Sequence, residues 1–458
     1  MQKKIIIIGA GLAGLSAACM AVKRGYRVVI FEASHEIGGD SRSITLEGFT
    51  YDRNPKLFPA PYLLDTLIPG KSNSVSSHFA QMIPAVQINF ADRKKMLFLS
   101  ENELSQRMEK ESTVPLLHGE SSYQKLESIL MDAMNHFTGK SQPIWKTVFK
   151  RKAKYLHRPL LSSIGQISSD PYMQQTLVAL AASMGMKIES LQMMDLFLPA
   201  LISRSGLFYP HGGIQSVIDL LVSYLQQAGV KIFTDLKVSE ILPVQHNTIG
   251  IRLGDEQQEW ADYILNTTQL LSPHTLKEQG TQPALVYHFG ITAPVISSLE
   301  YFNIVILNHA MKSWSVRQAI SHHWKPNYLY IHQPTLQDPT LAPAGNCLLT
   351  VKIPLPTDAL PYQDKEIIRE MVLSTIEAQF HQNFRSEIRM ETSLLLSRDE
   401  KTAQKMPTLS STSQPEMPLS FTKHENRLTH LTQMYENRRA GIPQILFAAQ
   451  RWLESLEK

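Results

Sequence analysis

The residues best placed to do chemistry in this chain are three glycines and one acid. Gly9-Ala10-Gly11-Leu12-Ala13-Gly14 is a G-x-G-x-x-G step, and it comes directly after Ile5-Ile6-Ile7-Ile8. An apolar β-branched run of this kind reads as a buried parallel strand, and the glycines turn it into a helix. Gly9 permits the tight turn, Gly11 lets the backbone approach a pyrophosphate, and Gly14 lets the helix pack against the strand. The helix start at Leu12 and Ala13 then offers free N–H groups and a positive dipole end to phosphate. A second strand, Arg27-Val28-Val29-Ile30-Phe31, ends at Glu32, the spacing expected of a ribose-hydroxyl acceptor. Strand, glycines, helix, strand and acid together indicate a dinucleotide site. A glycine-rich helix start that binds nothing is the plainer alternative. A secretory signal would also open with Lys3-Lys4 and an apolar run, but it leaves the glycine rhythm and the second strand and acid without a role.

The residues after Glu32 narrow the nucleotide. Beyond Ala33-Ser34 come Ile37-Gly38-Gly39, then Ser41-Arg42-Ser43 and Gly48-Phe49-Thr50-Tyr51-Asp52. This second glycine pair resembles the N-terminus of the flavin amine oxidase and phytoene desaturase superfamily, in which the pair closes over the diphosphate of FAD. The resemblance therefore implies FAD rather than NAD, held by Gly9, Gly11, Leu12, Ala13, Gly14, Glu32, Ala33, Gly38, Gly39 and Arg42.

The elements that must position these residues are spread along the chain. Phe208-Tyr209-Pro210-His211-Gly212-Gly213 leads a helix from about Ile214 to Gln227. Lys231–Thr234, Lys237–Ile241, Thr248–Leu253 and Trp260–Thr268 read as strands. The order implies an α/β fold in which a Rossmann-like FAD-binding domain is interleaved with an α+β substrate domain. The FAD-binding domain would comprise 1–75, 205–275 and 401–458. The substrate domain would comprise a helix-rich 76–204 and a strand-bearing 276–400, with strands at Ala284–Thr292, Asn327–His332 and Leu348–Ile353. Residues 405–419, rich in Ser, Thr, Pro and Gln, read as a loop.

Several stretches are similar to the phytoene desaturases of carotenoid biosynthesis in particular: Ser169-Asp170-Pro171-Tyr172-Met173, Gly206–Gly213, and Leu329-Tyr330-Ile331-His332-Gln333-Pro334-Thr335 continuing through Asp338-Pro339 to Gly345. That resemblance implies hydride transfer from a long apolar isoprenoid to FAD, and a substrate domain that touches a membrane. It also places the backbone of Val238 against the adenine. Departures from the family pattern stand beside it. The usual Gly-Gly-Arg is Gly38-Gly39-Asp40, and an acid beside a diphosphate is repulsive, with Arg42 the expected compensation. Asp52-Arg53-Asn54-Pro55 replaces Asp-x-Gly-Pro, a mild change because Asn tolerates positive φ. Near the C-terminus Gly441-Ile442 is kept, as the helix start beside the flavin, but Gln433-Met434-Tyr435-Glu436-Asn437-Arg438-Arg439 contains no glycine. Side chains there occupy places where bare backbone should approach the cofactor. Either the loop is rebuilt around FAD, or the chain is an idle relative that acts as a binding or partner protein in a lipid pathway.

Composition bounds the rest. The 458 residues can bury a large core, and a net charge of +4 is too small to imply nucleic acid. Two cysteines, Cys19 and Cys347, make no disulfide framework and suit a reducing cytoplasm. Residues 144–158 carry six Lys or Arg and no acid, with Trp145, Val148, Phe149 and Leu156 near one helical face. This is the pattern of a helix on an anionic bilayer, which would put the protein on the inner face of the membrane. A solvated basic helix docked on the core fits the pattern equally. Met184, Met186, Met193 and Met194 suit an adaptable apolar tunnel or plain core packing. No metal cluster or Ser-His-Asp set emerges, so no catalytic residue is named. In a flavin desaturase the protein mainly positions a C–H bond and excludes water. A flavin amine oxidase remains a third reading; it needs a polar pocket with an aromatic cage, which the sequence does not locate. Oligomeric state is not legible.

Overall fold

The structure, a computed structural model, describes residues 2–54, 58–69, 74–100, 124, 125, 127, 128, 155–183, 185–268, 282–292, 301–308, 326–355, 362–380, 383–396, 427–430 and 442–456. The chain opens with β1 (Lys4–Ile8), α1 (Leu12–Lys23) and β2 (Arg27–Phe31), then a hairpin of β3 (Ser43–Leu46) and β4 (Phe49–Asp52). It leaves this region through β5 (Phe79–Met82), β6 (Val86–Asn89) and β7 (Lys95–Phe98), and through helices α2 (Pro171–Ala182) and α3 (Phe197–Ser205). It returns along β8 (Leu207–Pro210), α4 (Ile214–Gln227), β9 (Lys231–Phe233), a meander of β10 (Val238–Gln245), β11 (Thr248–Leu253) and β12 (Gln258–Ala261), then β13 (Tyr263–Asn266). A second excursion makes β14 (Ala284–Thr292), β15 (Asn303–Leu307), β16 (Tyr328–His332), β17 (Asn346–Pro354), α5 (Tyr362–Phe380) and β18 (Ile388–Leu396). The chain comes back as β19 (Leu428–His430) and α6 (Ile442–Leu456).

The first sheet is parallel throughout, in the order β19-β13-β1-β2-β9. Its central strand explains the isoleucine run. Ile5 and Ile7 pack under α1, α4 and α6 with Leu15, Val217, Leu221 and Trp452. Ile6 and Ile8 face the meander, with Val238, Ile249 and Ile251. Both faces are covered, so the four isoleucines run without polar alternation. Burying each such side chain contributes about 1.5–3 kcal/mol.

The second sheet has seven strands in the order β18-β14-β17-β16-β15-β6-β7. One face meets α5, where Leu285, Tyr287 and Phe289 pack on Ile368, Val372 and Ile376. On the other, Val305, Leu307, Tyr328 and Tyr330 pack with Leu177 and Leu201 of α2 and α3.

Two expectations are corrected. Trp260–Thr268 is not one strand: it breaks at Asp262, leaving Trp260-Ala261 in the meander and Tyr263–Asn266 in the parallel sheet. The break is fastened by Lys4, whose N–H donates to Asp262 Oδ2 at 2.7 Å and whose carbonyl accepts from Asp262 N at 3.0 Å. The stretch 76–204 adds strands to its helices: β6 and β7 extend the seven-stranded sheet and β5 pairs with β8. Leu156 does not belong to an outward apolar face; it is buried with Leu160 and Ile164. Of the basic segment, 144–154 lie outside the described residues. Met186, Met193 and Met194 are core residues of the same cluster, while Met184 lies outside the described residues.

Candidate functional site

The glycine step is a backbone cradle. Gly9 has φ +101°, and its N–H donates to Phe31 O at 2.8 Å, tying the turn to β2. A β-carbon on Gly14 would stand 2.0 Å from Gly9 O, a collision with backbone that leaves only glycine possible. Gly38, at φ +116°, donates to Ala10 O at 2.9 Å and bridges Gly11, so the second glycine pair lies directly on the first. Gly11 caps α1 with no side-chain cap, and the first turn, from Leu12 and Ala13, carries no acid. Its N–H groups are free of the usual side-chain competitor for an anion.

Glu32 stands at the mouth of this cradle. Its Oε2 accepts from Ala10 N at 2.7 Å and its Oε1 from Ser34 N at 2.9 Å. A carboxylate has about four acceptor positions, so lone pairs remain for ribose hydroxyls. Ala33 is exposed beside it. Glu32 O accepts from Leu236 N at 3.0 Å, which brings the strand start at Val238 alongside; Val238 packs with Phe31 and Ile8.

The compensation expected at Asp40 is made differently. Arg42 pairs with Glu36 at 2.5 Å, and it is Arg53 that approaches Asp40, at 3.7 Å. Arg42 is a residue beyond the short helical turn Gly39–Ser41, and this turn carries the two side chains apart. Arg42 Nε and Asn54 Oδ1 are buried with no hydrogen-bond partner among the described residues. A buried polar group without a partner is costly. Arg42 stands against Gly38, and an unpartnered donor there fits the diphosphate chemistry of FAD.

Asp52 fastens the cradle to its surroundings. Its Oδ1 accepts from Ser43 Oγ at 2.7 Å and from Ile214 N at 3.0 Å, and its Oδ2 accepts from the Tyr209 hydroxyl at 2.9 Å. Burial, and then the neighbouring Asp52 carboxylate, push the Tyr209 phenol well above its ordinary value. Asp338 holds the adjoining turn by accepting from Gly212 N at 2.6 Å.

The seven-stranded sheet brings together residues that are far apart in sequence. Register places Thr392, His288, Thr350, His332 and Asn303 side by side across β18, β14, β17, β16 and β15. His288 Nδ1 meets Thr350 Oγ1 at 3.0 Å, and His332 Nδ1 meets Asn303 Oδ1 at 2.9 Å. Tyr51 stacks on His288 at 4.2 Å, and Tyr209 leans on His332 at 5.0 Å. His288 Nε2 lies beside the backbone of Arg53 and closes no hydrogen bond among the described residues. Burial lowers His288 to about 3, helped by the nearby His332. Burial likewise lowers His332 to about 4. Both imidazoles are neutral at ordinary pH. The two thiols are held protonated: burial pushes Cys19 and Cys347 each up to about 12.

Sequence reasoning does not single out Asp52, Tyr209, His288, His332 and Asn303 as one group. One signal is available, since His288 is an isolated polar residue in the apolar run Leu285–Ile291. Gly441 and Gln433–Arg439 lie outside the described residues, as does the side chain of Ile442, the first residue of α6.

Comparison with known proteins places the chain in a family. The profile of the flavin containing amine oxidoreductases matches residues 12–414. Among curated proteins, the chain is 23% identical to 4,4'-diapolycopene oxygenase of Methylomonas sp over 82% of this chain and 81% of that one. It is 23% identical to 4,4'-diapophytoene desaturase of the same source over 82% and 78%. It is 23% identical to the zeta-carotene-forming phytoene desaturase of Myxococcus xanthus over 77% and 72%. Among solved structures, an oxidoreductase from Methanosarcina mazei superposes with TM-score 0.60 at 16% identity, covering 99% of this chain and 100% of that one. Cyclohexylamine oxidase from Brevibacterium oxydans gives 0.59 at 11% identity, with 100% of each covered. The chain therefore belongs to the flavin-containing amine oxidoreductase family, and FAD is its cofactor.

Proposed function

We propose that this chain is a flavin-dependent oxidoreductase of phytoene desaturase type, which forms or isomerises a carbon–carbon double bond in a long, apolar isoprenoid or polyene. The observation that carries the reading is the likeness, along most of the chain, to enzymes named for carotenoid desaturation and oxygenation. FAD, when bound, supplies a two-electron acceptor. The chain's own residues bind, orient and exclude water. Gly9–Gly14, Gly38 and Gly39 present backbone to the diphosphate, Glu32 serves the ribose, and Arg42 Nε offers a further donor. On the seven-stranded sheet, Val305, Leu307 and Tyr328 pack in the core with α2 and α3.

The basic segment 144–158, of which 144–154 lie outside the described residues, is the part of the chain that by its composition would meet an anionic bilayer and let the substrate enter from lipid. No helix among the described residues is long and apolar enough to cross a membrane.

The test begins with the visible spectrum of the purified protein and identification of the cofactor released on denaturation. The FAD-loaded protein is then incubated with phytoene or diapophytoene in anionic vesicles. Products with longer conjugation, or isomerised ones, support the reading; oxygenated products would redirect it to terminal oxidation. Bound FAD with no turnover of any polyene would leave a binding or partner role.

A further inference from the structure

Asp52 reaches in two directions from the end of β4. Toward the cradle, it fixes Ile214 N, and Ser43 Oγ, itself bonded to Asp52, accepts from Gln215 N at 3.2 Å. The first turn of α4 is therefore set by this carboxylate. One turn on, Ile218 stands against Gly38: a β-carbon there would come within 2.7 Å of Ile218 Cδ1. Gly38 in turn bridges Gly11. The start of α4 thus fixes where the second glycine pair rests on the first.

Toward the sheet, Asp52 holds the Tyr209 hydroxyl, and the Tyr209 ring leans on His332. His332 meets Asn303 Oδ1, which also accepts from the Tyr330 hydroxyl at 2.6 Å, while Asn303 Nδ2 donates to Ala85 O at 3.0 Å. His332 is 4% exposed and Asn303 0%, so neither has surface to offer a ligand. Every link is a hydrogen bond or a ring contact, and the groups are buried, where displacing one partner is costly.

We propose that Asp52 is a positioning residue that couples the seven-stranded sheet to the glycine cradle, so that FAD affinity depends on Tyr209 and His332. This rests on FAD being the bound group and not on which hydrocarbon is oxidised. Coupling of this kind is reciprocal and runs through a contiguous network.

The experiment uses the full chain, stripped of flavin and titrated with FAD, with quenching of flavin fluorescence as the readout. Visible circular dichroism of the bound flavin and the melting temperature of the stripped protein are recorded beside it. Tyr209→Phe removes one oxygen atom and should weaken FAD about tenfold, as expected for a lost hydrogen bond to a carboxylate. His332→Gln should weaken it several-fold, and the flavin dichroism should change in both. The double variant should lose less than the product of the single effects and sit nearer to Tyr209→Phe alone, because both act along one chain. Should Asp52→Asn fail to fold, Tyr209→Phe carries the test. FAD affinity within twofold of the parent in both single variants, with melting temperature lowered or not, would overturn the coupling, as would strictly multiplicative losses. A parent chain that takes up no FAD would overturn the flavin site as well.

Discussion

Around Gly9–Gly14 and Gly38-Gly39 this chain has stripped away side chains so that backbone can meet a ligand, whereas across His288–Thr350 and His332–Asn303 it has buried polar side chains that pair with one another. The first region offers N–H groups and a helix end, which suit a charged diphosphate. The second keeps its titratable groups neutral and occluded. Polarity in this protein is thus placed differently in the two regions, with open main chain around the glycines and buried, paired side chains within the apolar interior of the sheet.

The largest effect on this contrast is expected at Gly14. Gly14→Ala drives a β-carbon to 2.0 Å from Gly9 O, and backbone cannot yield as a side chain would. Loss of FAD by ~100-fold or more is expected from displacing the cradle, read from the flavin absorbance of the purified protein, with far-UV circular dichroism as the check on folding. Retained stoichiometric flavin would show that the cradle does not depend on close packing.

The row of polar residues should show itself in pH dependence. His288 and His332 are held below the ordinary 6.5, at about 3 and about 4. Between those values and 6.5 the unfolded chain binds more protons, so stability is full above pH 6.5 and falls as pH drops. Each imidazole contributes a slope of about 1.4 kcal/mol per pH unit in that window. Denaturant melts across the acid range should show the loss, and His288→Gln should remove part of the slope. Equal slopes in parent and variant would mean that His288 is protonated in the fold.

Gly290 offers a smaller test within the same sheet. A β-carbon there would lie 2.5 Å from the Phe49 ring, which packs flat on β14. Gly290→Ala should cost ~1–3 kcal/mol by overpacking, measured by denaturant titration. The smallest effect is expected at Asp40. Since Arg53 is its partner and it is half-exposed, Asp40→Asn should tighten FAD by only about twofold at low salt, with the gain fading as salt rises. A large change would place Asp40 nearer the diphosphate than Arg53 allows.

The same contrast separates the features that a sequence discloses from those it conceals. The cradle is written in consecutive residues: the strand Ile5–Ile8, the glycine spacing and Glu32 lie within one stretch, and each has a local physical requirement. The compensating partner of Asp40 is not readable in this way, because the turn Gly39–Ser41 separates Asp40 from Arg42 and leaves Arg53 nearer. The break at Asp262 is invisible because what breaks the strand is a pair of hydrogen bonds to Lys4, at the other end of the region. The polar row is hidden for a related reason. Its members meet only through strand register, and register is a property of the assembled sheet, not of any short window.

The pairing of β1 with β13 carries a consequence for how the protein is made. Lys4 and Asp262 are 258 residues apart, yet they lock the middle of the parallel sheet. On a ribosome adding roughly 5–20 residues per second, the isoleucine strand waits on the order of 10–50 s for its neighbour. During that interval four adjacent isoleucines and an open strand edge are available to any passing apolar chain. Synthesis of this protein should therefore draw on holding chaperones, with demand falling once Asn266 has left the exit tunnel.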